Sequence, residues 1–124
     1  MVLALTVGAA GAVGAVARYL LDGAVQDRAS GSFPFGTLTV NVLGSLVLGL
    51  LAGVALQHAD AVRAKTIIGA GFCGGLTTWS AASWETVRLA EEQSGRTAVA
   101  FTIVNLVASL GAGSVGLLIF AHHI

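Results

Sequence analysis

Charged side chains are absent from four long stretches of this 124-residue chain: Met1–Ala17, Ala29–Ala59, Thr66–Trp84 and Thr97–Ile124. Counted between bracketing charges, the stretches hold 17, 31, 19 and 28 residues. An α-helix rises ~1.5 Å per residue, so about 20 apolar residues cross a hydrocarbon core ~30 Å thick. The first stretch, the shortest, reaches the interface if Arg18 lays its aliphatic stem along the bilayer and keeps its charge in water. The chain is therefore expected to be an all-α membrane protein, one domain over 1–124 with four transmembrane helices. These are placed at about Leu3–Leu21, Thr37–Gln57, Thr66–Leu89 and Thr97–Phe120.

Composition closes off most other classes. Hydrophobic residues make up 56% and charged residues 10%, against about 25% charged in a typical soluble protein. Mean hydropathy is +0.88, and nothing is left over for a soluble domain. Met1-Val2-Leu3-Ala4 lacks the basic start of a signal peptide. Cys73 is the single cysteine, which leaves no disulfide framework and no cysteine metal cluster. Zero net charge argues against nucleic acid as a partner. A conventional enzyme is not expected: there is no Ser-His-Asp arrangement or metal-ligand spacing, and Gly74-Gly75 followed by Thr77-Thr78 lacks the lysine of a phosphate loop.

Four helices enclose little space, so a pore or cavity calls for a second subunit. The 17 glycines, about twice the usual ~7% frequency, fit close helix association in lipid. Orientation is not written in the charges. Arg18, Arg28, Arg88 and Arg96 fall on one side and Arg63, Lys65 and the terminal amine on the other, a weak bias under the positive-inside rule. Either another feature sets the topology, or copies insert both ways and pair antiparallel.

Along the first helix Gly8, Gly11 and Gly14 recur at intervals of three on one face, and Asp22–Phe35 reads as a polar connector with a turn at Gly31, Ser32 and Pro34. The second helix carries Asn41, Ser45, Gly49 and Gly53 at intervals of four, a stripe that should face another helix. Glycines there make a packing seam, but an amide facing lipid is costly, so Asn41 needs a polar partner. The fourth helix repeats the pattern with Asn105, Ser109 and Gly113. His58–Lys65 is a short polar loop, and the terminal His122 and His123 have no assigned role. The third helix combines Gly69, Gly71, Gly74 and Gly75 with Thr77, Thr78 and Ser80. Glycine costs about 1 kcal/mol against alanine in a helix and threonine is β-branched. Composition leaves two readings: a break whose freed backbone meets a cavity, an ion or other protein, or an intact helix with a glycine contact face. Glu85 and Arg88 at its end read as a surface ion pair, although a carboxylate there also suits an aqueous vestibule.

These segments together resemble the CrcB/Fluc fluoride channel family. Gly14-Ala15-Val16-Ala17-Arg18-Tyr19 is similar to the family's segment at the end of helix one. Phe33-Pro34-Phe35-Gly36-Thr37-Leu38-Thr39-Val40-Asn41-Val42-Leu43-Gly44-Ser45 and Gly71-Phe72-Cys73-Gly74-Gly75-Leu76-Thr77-Thr78, continued by Ser80, Ser83 and Glu85, resemble its two main signatures. The resemblance runs in order along the whole chain. It implies a multi-pass protein of the cell (inner) membrane, embedded in lipid, that forms a dual-topology antiparallel dimer with two narrow fluoride pathways. By the same likeness Asn41 donates to the anion; Ser80, Ser83, Ser109, Asn105 and Thr78 lie along the polar track; Arg18 and Glu85 sit near a vestibule. A break in helix three would offer the backbone carbonyls of Gly74 and Thr77, from both subunits, to one structural Na+ at the dimer centre.

The match departs from the family at three places. Trp79 and Ala82 stand where the family has phenylalanines whose electropositive ring edges meet the anion, and Ala81 replaces a threonine. Trp79 still offers a ring edge and an indole N–H; Ala82 offers neither. Trp84, two residues on and about 200° round the helix, is no substitute. Three readings follow: one half of a heterodimer with a paralogous subunit, a homodimer with a modified pathway, or a non-conducting relative. Outside the family, a small multidrug-type four-helix transporter would want a carboxylate deep in helix one, where the first acid is Asp22 at its end. A non-conducting assembly subunit would leave the amides and hydroxyls without purpose.

Overall fold

A computed structural model describes residues 1–122, which include every expected membrane segment; His123 lies outside them. Among the described residues the chain is helical with no strand. Three uninterrupted helices are long and apolar enough to cross a membrane: Val2–Arg28, Phe35–Gln57 and Gly95–Ala121. They form the first, second and fourth spans.

The third span is in two pieces. A short 3-10 turn, Ala59–Ala61, and an α-turn, Val62–Ala64, lead into a π-helix over Lys65–Cys73 and a last α-turn at Gly74–Leu76. Thr77 and Thr78 are extended, with ψ of 158° and 122°. A second helix, Trp79–Glu92, follows. The expected break is present, but two residues beyond the glycine pair, which stays helical. The π winding has no counterpart in the sequence reading; its bonds reach back five residues, a wide turn rarely sustained for this length.

The other boundaries shift for identifiable reasons. The first helix runs on to Arg28 instead of ending at Leu21, because the segment taken for a polar connector is tied down. Gln26 donates from Nε2 to the Phe33 carbonyl and accepts from the Gly36 amide, at 3.1 Å each. The chain then reverses at Gly31, whose φ of +86° is open to glycine at no steric cost. The second helix starts at Phe35, with Pro34 at its N-cap. Ser94 accepts from the Thr97 amide at 3.1 Å and starts the fourth helix at Gly95, two residues earlier than expected.

Glycines set the packing in two seams. A Cβ on Gly14 would collide with the Phe72 carbonyl oxygen, so the first helix rests its backbone on the first half of the third span. A Cβ on Gly49 would collide with the Gly113 carbonyl oxygen, which brings the second and fourth helices into equally close contact. The stripes on those two helices are thus the two faces of one seam. Gly8, placed on the first helix's contact face by its spacing, meets only open space. At one end Ala82, Leu89, Ala98 and Phe101 form a buried cluster with Phe33 packed against it, its ring edge-on to Phe101 at 5.6 Å.

Gly49→Ala should therefore push the second and fourth helices apart and lower stability in detergent by about 1–3 kcal/mol, the usual cost of overpacking. Gly8→Ala, with room to spare, should leave it unchanged or slightly raised. Thermal unfolding of both variants, followed by size-exclusion monodispersity, checks the contrast.

Candidate functional site

A helix interrupted within the membrane leaves amides and carbonyls without partners, and lipid offers none. Here one side chain meets that demand. Asn41, buried at 7% exposure, accepts from the Thr78 amide through Oδ1 at 2.7 Å and donates from Nδ2 to the Thr78 carbonyl at 3.1 Å. The carboxamide thus pairs with both backbone groups of one extended residue, as a neighbouring strand would. Its second N–H donates to Asn105 Oδ1 on the fourth helix, also at 3.1 Å.

Thr78 restarts the helix as well as ending it. Its Oγ1 accepts from the Ala81 amide at 3.0 Å, an N-cap for Trp79–Glu92, and lies 3.3 Å from Ser80 Oγ. On the other side of the break Thr77 directs both its amide, at 2.9 Å, and its hydroxyl, at 2.8 Å, to the Cys73 carbonyl. In a continuous helix the Thr78 amide would serve the Gly74 carbonyl. It goes to Asn41 instead, so the Gly74 carbonyl loses its helical donor, and Gly74 itself is exposed.

The break opens onto a groove of about 960 Å³ between the second, third and fourth spans. Asn41, Asn105, Ser109, Thr77, Thr78 and Trp79 all line it, as does Gly74. The Ser109 hydroxyl is buried and has no hydrogen-bond partner among the described residues. Trp79 is 80% exposed. Ser80 and Ser83 are exposed on the following helix and are not among the groove's lining residues; Ser83 donates to the Trp79 carbonyl at 2.9 Å. Both amide hydrogens of Asn41 are already engaged inside the chain. A ligand accepting from this amide therefore has to displace one bond, and the bond to Asn105 is the one whose loss leaves the break paired.

Ala82 points away from the groove. It is 6% exposed inside the cluster with Leu89 and Phe101, so a larger side chain there would meet this chain's own core. Glu85 and Arg88 form the expected pair, with Nε 2.7 Å from Oε2, and the guanidinium does more than the sequence indicated. It also reaches Glu92 at 3.1 Å and the Ser32 carbonyl at 2.8 Å, and lies 5.8 Å from the Trp84 ring centre. Glu85 and Arg88 line a second, polar basin at the end of the bundle with Asp22, Gln26 and Asp27; Arg18, half-buried on the first helix, is not among its lining residues. Sequence reasoning missed Gln26 and the Ser32 carbonyl, since both act across loops.

Residues 5–117 match the model of a family described as CrcB-like protein, Camphor Resistance (CrcB). A protein of Leifsonia xyli named fluoride-specific ion channel FluC 1 is 47% identical over 113 residues, which are 91% of this chain and 82% of that protein. One of Streptomyces avermitilis with the same name is 45% identical over 90% of each chain. A FluC 2 of Mycolicibacterium paratuberculosis is 44% identical over 92% of each chain.

Replacing Asn41 strands three groups at once: the Thr78 amide, the Thr78 carbonyl and Asn105 Oδ1. With each buried unsatisfied group costing about 1–3 kcal/mol, Asn41→Ala should lose roughly 3 kcal/mol or more. Asn105→Ala, which removes a single acceptor, should lose only about 1 kcal/mol. Denaturant unfolding in detergent separates the two, and hydrogen exchange at Thr78 should accelerate in the first variant alone.

Proposed function

This chain belongs to the CrcB-like family, and on that premise we propose that it is a fluoride-selective ion channel of the cell (inner) membrane. It exports cytoplasmic fluoride and so lowers its toxicity. The observation that carries the reading is the set of uncharged polar side chains in the groove, in which Asn41, Asn105, Ser109 and Thr78 line one space together with many apolar residues. Fluoride is small and holds its water tightly, so a pathway has to replace hydration with amide and hydroxyl donors. A fixed cation along the narrow part would hold the ion too firmly to release it. The unpartnered Ser109 hydroxyl is a donor of the kind required. Ser80, Ser83 and Trp79 continue the track on the exposed face of the following helix, where Trp79 offers its ring edge or its indole N–H. Arg18 and Glu85 sit toward a vestibule.

In a single copy the groove is open along one side, and a second subunit inserted the opposite way closes it. The partner is either the same chain or a paralogue, and relatives named both FluC 1 and FluC 2 occur. Because Ala82 belongs to this chain's own core, any aromatic contact at that level of the pathway comes from the partner.

The break also suits a structural Na+ between subunits. Gly74 has lost its helical donor, Thr77 is extended, and both line the open groove. Carbonyl oxygens are hard ligands fit for a hard cation. Two from each of two chains would hold it, and the ion would supply cohesion at the centre of the dimer.

Liposomes loaded with fluoride and chloride test the function. With this chain alone, or with a co-expressed paralogue, fluoride should escape rapidly and chloride should stay. No fluoride release in either preparation from folded protein would refute the reading, and release only with the paralogue would identify an obligate heterodimer. Exchange of sodium for N-methylglucamine should shift the dimer toward monomer on size exclusion.

A further inference from the structure

One charged residue lines the groove among those described, and the polar track does not account for it. Lys65 opens the π-helical half of the third span and faces the end of the groove remote from the break, near Ala52 and Thr66. Its stem runs over Gly69, where an added Cβ would sit 3.9 Å from Lys65 Cγ. Lys65 is exposed and makes no ion pair among the described residues. From Lys65 to Thr78 the span advances by about 20 Å, so the ammonium stands at the end of the groove far from the break.

The geometry points to Lys65 as the residue that gathers anions at this entrance. The inference rests on the channel reading above and adds to it where the ion is collected. A hydrated, mobile ammonium at a mouth raises the local anion concentration without forming a tight site, whereas the same charge at the break would trap the ion. One unit charge acting through water over about 7 Å changes the local concentration of a monovalent anion about threefold. Arg63 is the natural comparison. It carries the same charge at the same end of the span, but two positions away it projects from the opposite side of the helix and does not line the groove.

The test is initial fluoride efflux from liposomes at about 10 mM and about 300 mM ionic strength, where the Debye length falls from ~30 Å to below 8 Å. At low ionic strength Lys65→Gln should slow efflux about threefold and Lys65→Glu about sevenfold. Lys65→Arg should match the wild type, as should Arg63→Gln. At high ionic strength the differences should vanish. Wild-type flux with Lys65→Gln and Lys65→Glu unchanged at low ionic strength would overturn the inference alone, and so would an equal loss in Arg63→Gln, which would mean general surface charge. A wild-type chain that releases no fluoride, alone or with a paralogue, would overturn the channel reading and this inference with it.

Discussion

The pairing of Asn41 with the backbone of Thr78 is the interaction on which the centre of this protein depends. A chain can stop and restart a helix inside a bilayer only if the groups released find partners, since each orphan costs several kcal/mol in lipid. One carboxamide supplies an acceptor at 2.7 Å and a donor at 3.1 Å to the same extended residue. It therefore pairs both backbone groups of the residue at which the helix restarts. Thr78 then uses its hydroxyl to begin the next helix. Without Asn41 both backbone groups of Thr78 would be left unpaired inside the bundle.

The helix that carries that side chain packs closely where glycines let backbones approach. The second helix meets the fourth through Gly49 against Gly113, and the first meets the third span through Gly14 against Phe72. Backbone-to-backbone contact of this kind suits lipid, where van der Waals fit replaces the hydrophobic drive. It leaves little freedom for one helix to slide along another. Asn41 lies two turns from Gly49 on the same stripe, so the glycine seam sets the register at which the amide meets both Thr78 and Asn105.

Much of this was legible in the sequence. Charge-free runs gave the spans, intervals of four gave the stripes on the second and fourth helices, and the crowd of glycines and threonines marked the third span as unusual. The exact break was not legible, because its cause lies 37 residues upstream in Asn41. Local propensity points to Gly74 and Gly75, yet both stay helical while the threonines extend. Gly8 fits the spacing of a contact face but has no neighbour, since the third span crosses the first helix further along. Ala82 looked like a contact missing from the pathway and proves to be part of the core with Phe101. Spacing on one helix does not state which neighbour lies against it.

The order of these partners along the chain has a consequence for biosynthesis. Asn41 is made before Thr78, so when the interrupted span leaves the ribosome the group that will pair with its exposed backbone is already in the preceding helix. Asn105 comes last and accepts the one hydrogen that Asn41 has left. Domains and their elements emerge from the N-terminus onward during synthesis, and here that direction matches the hierarchy of need. The costliest groups are matched first, and the cheapest waits for the final helix. A discontinuous membrane segment can thus enter the bilayer with the partner of Thr78 already in residence.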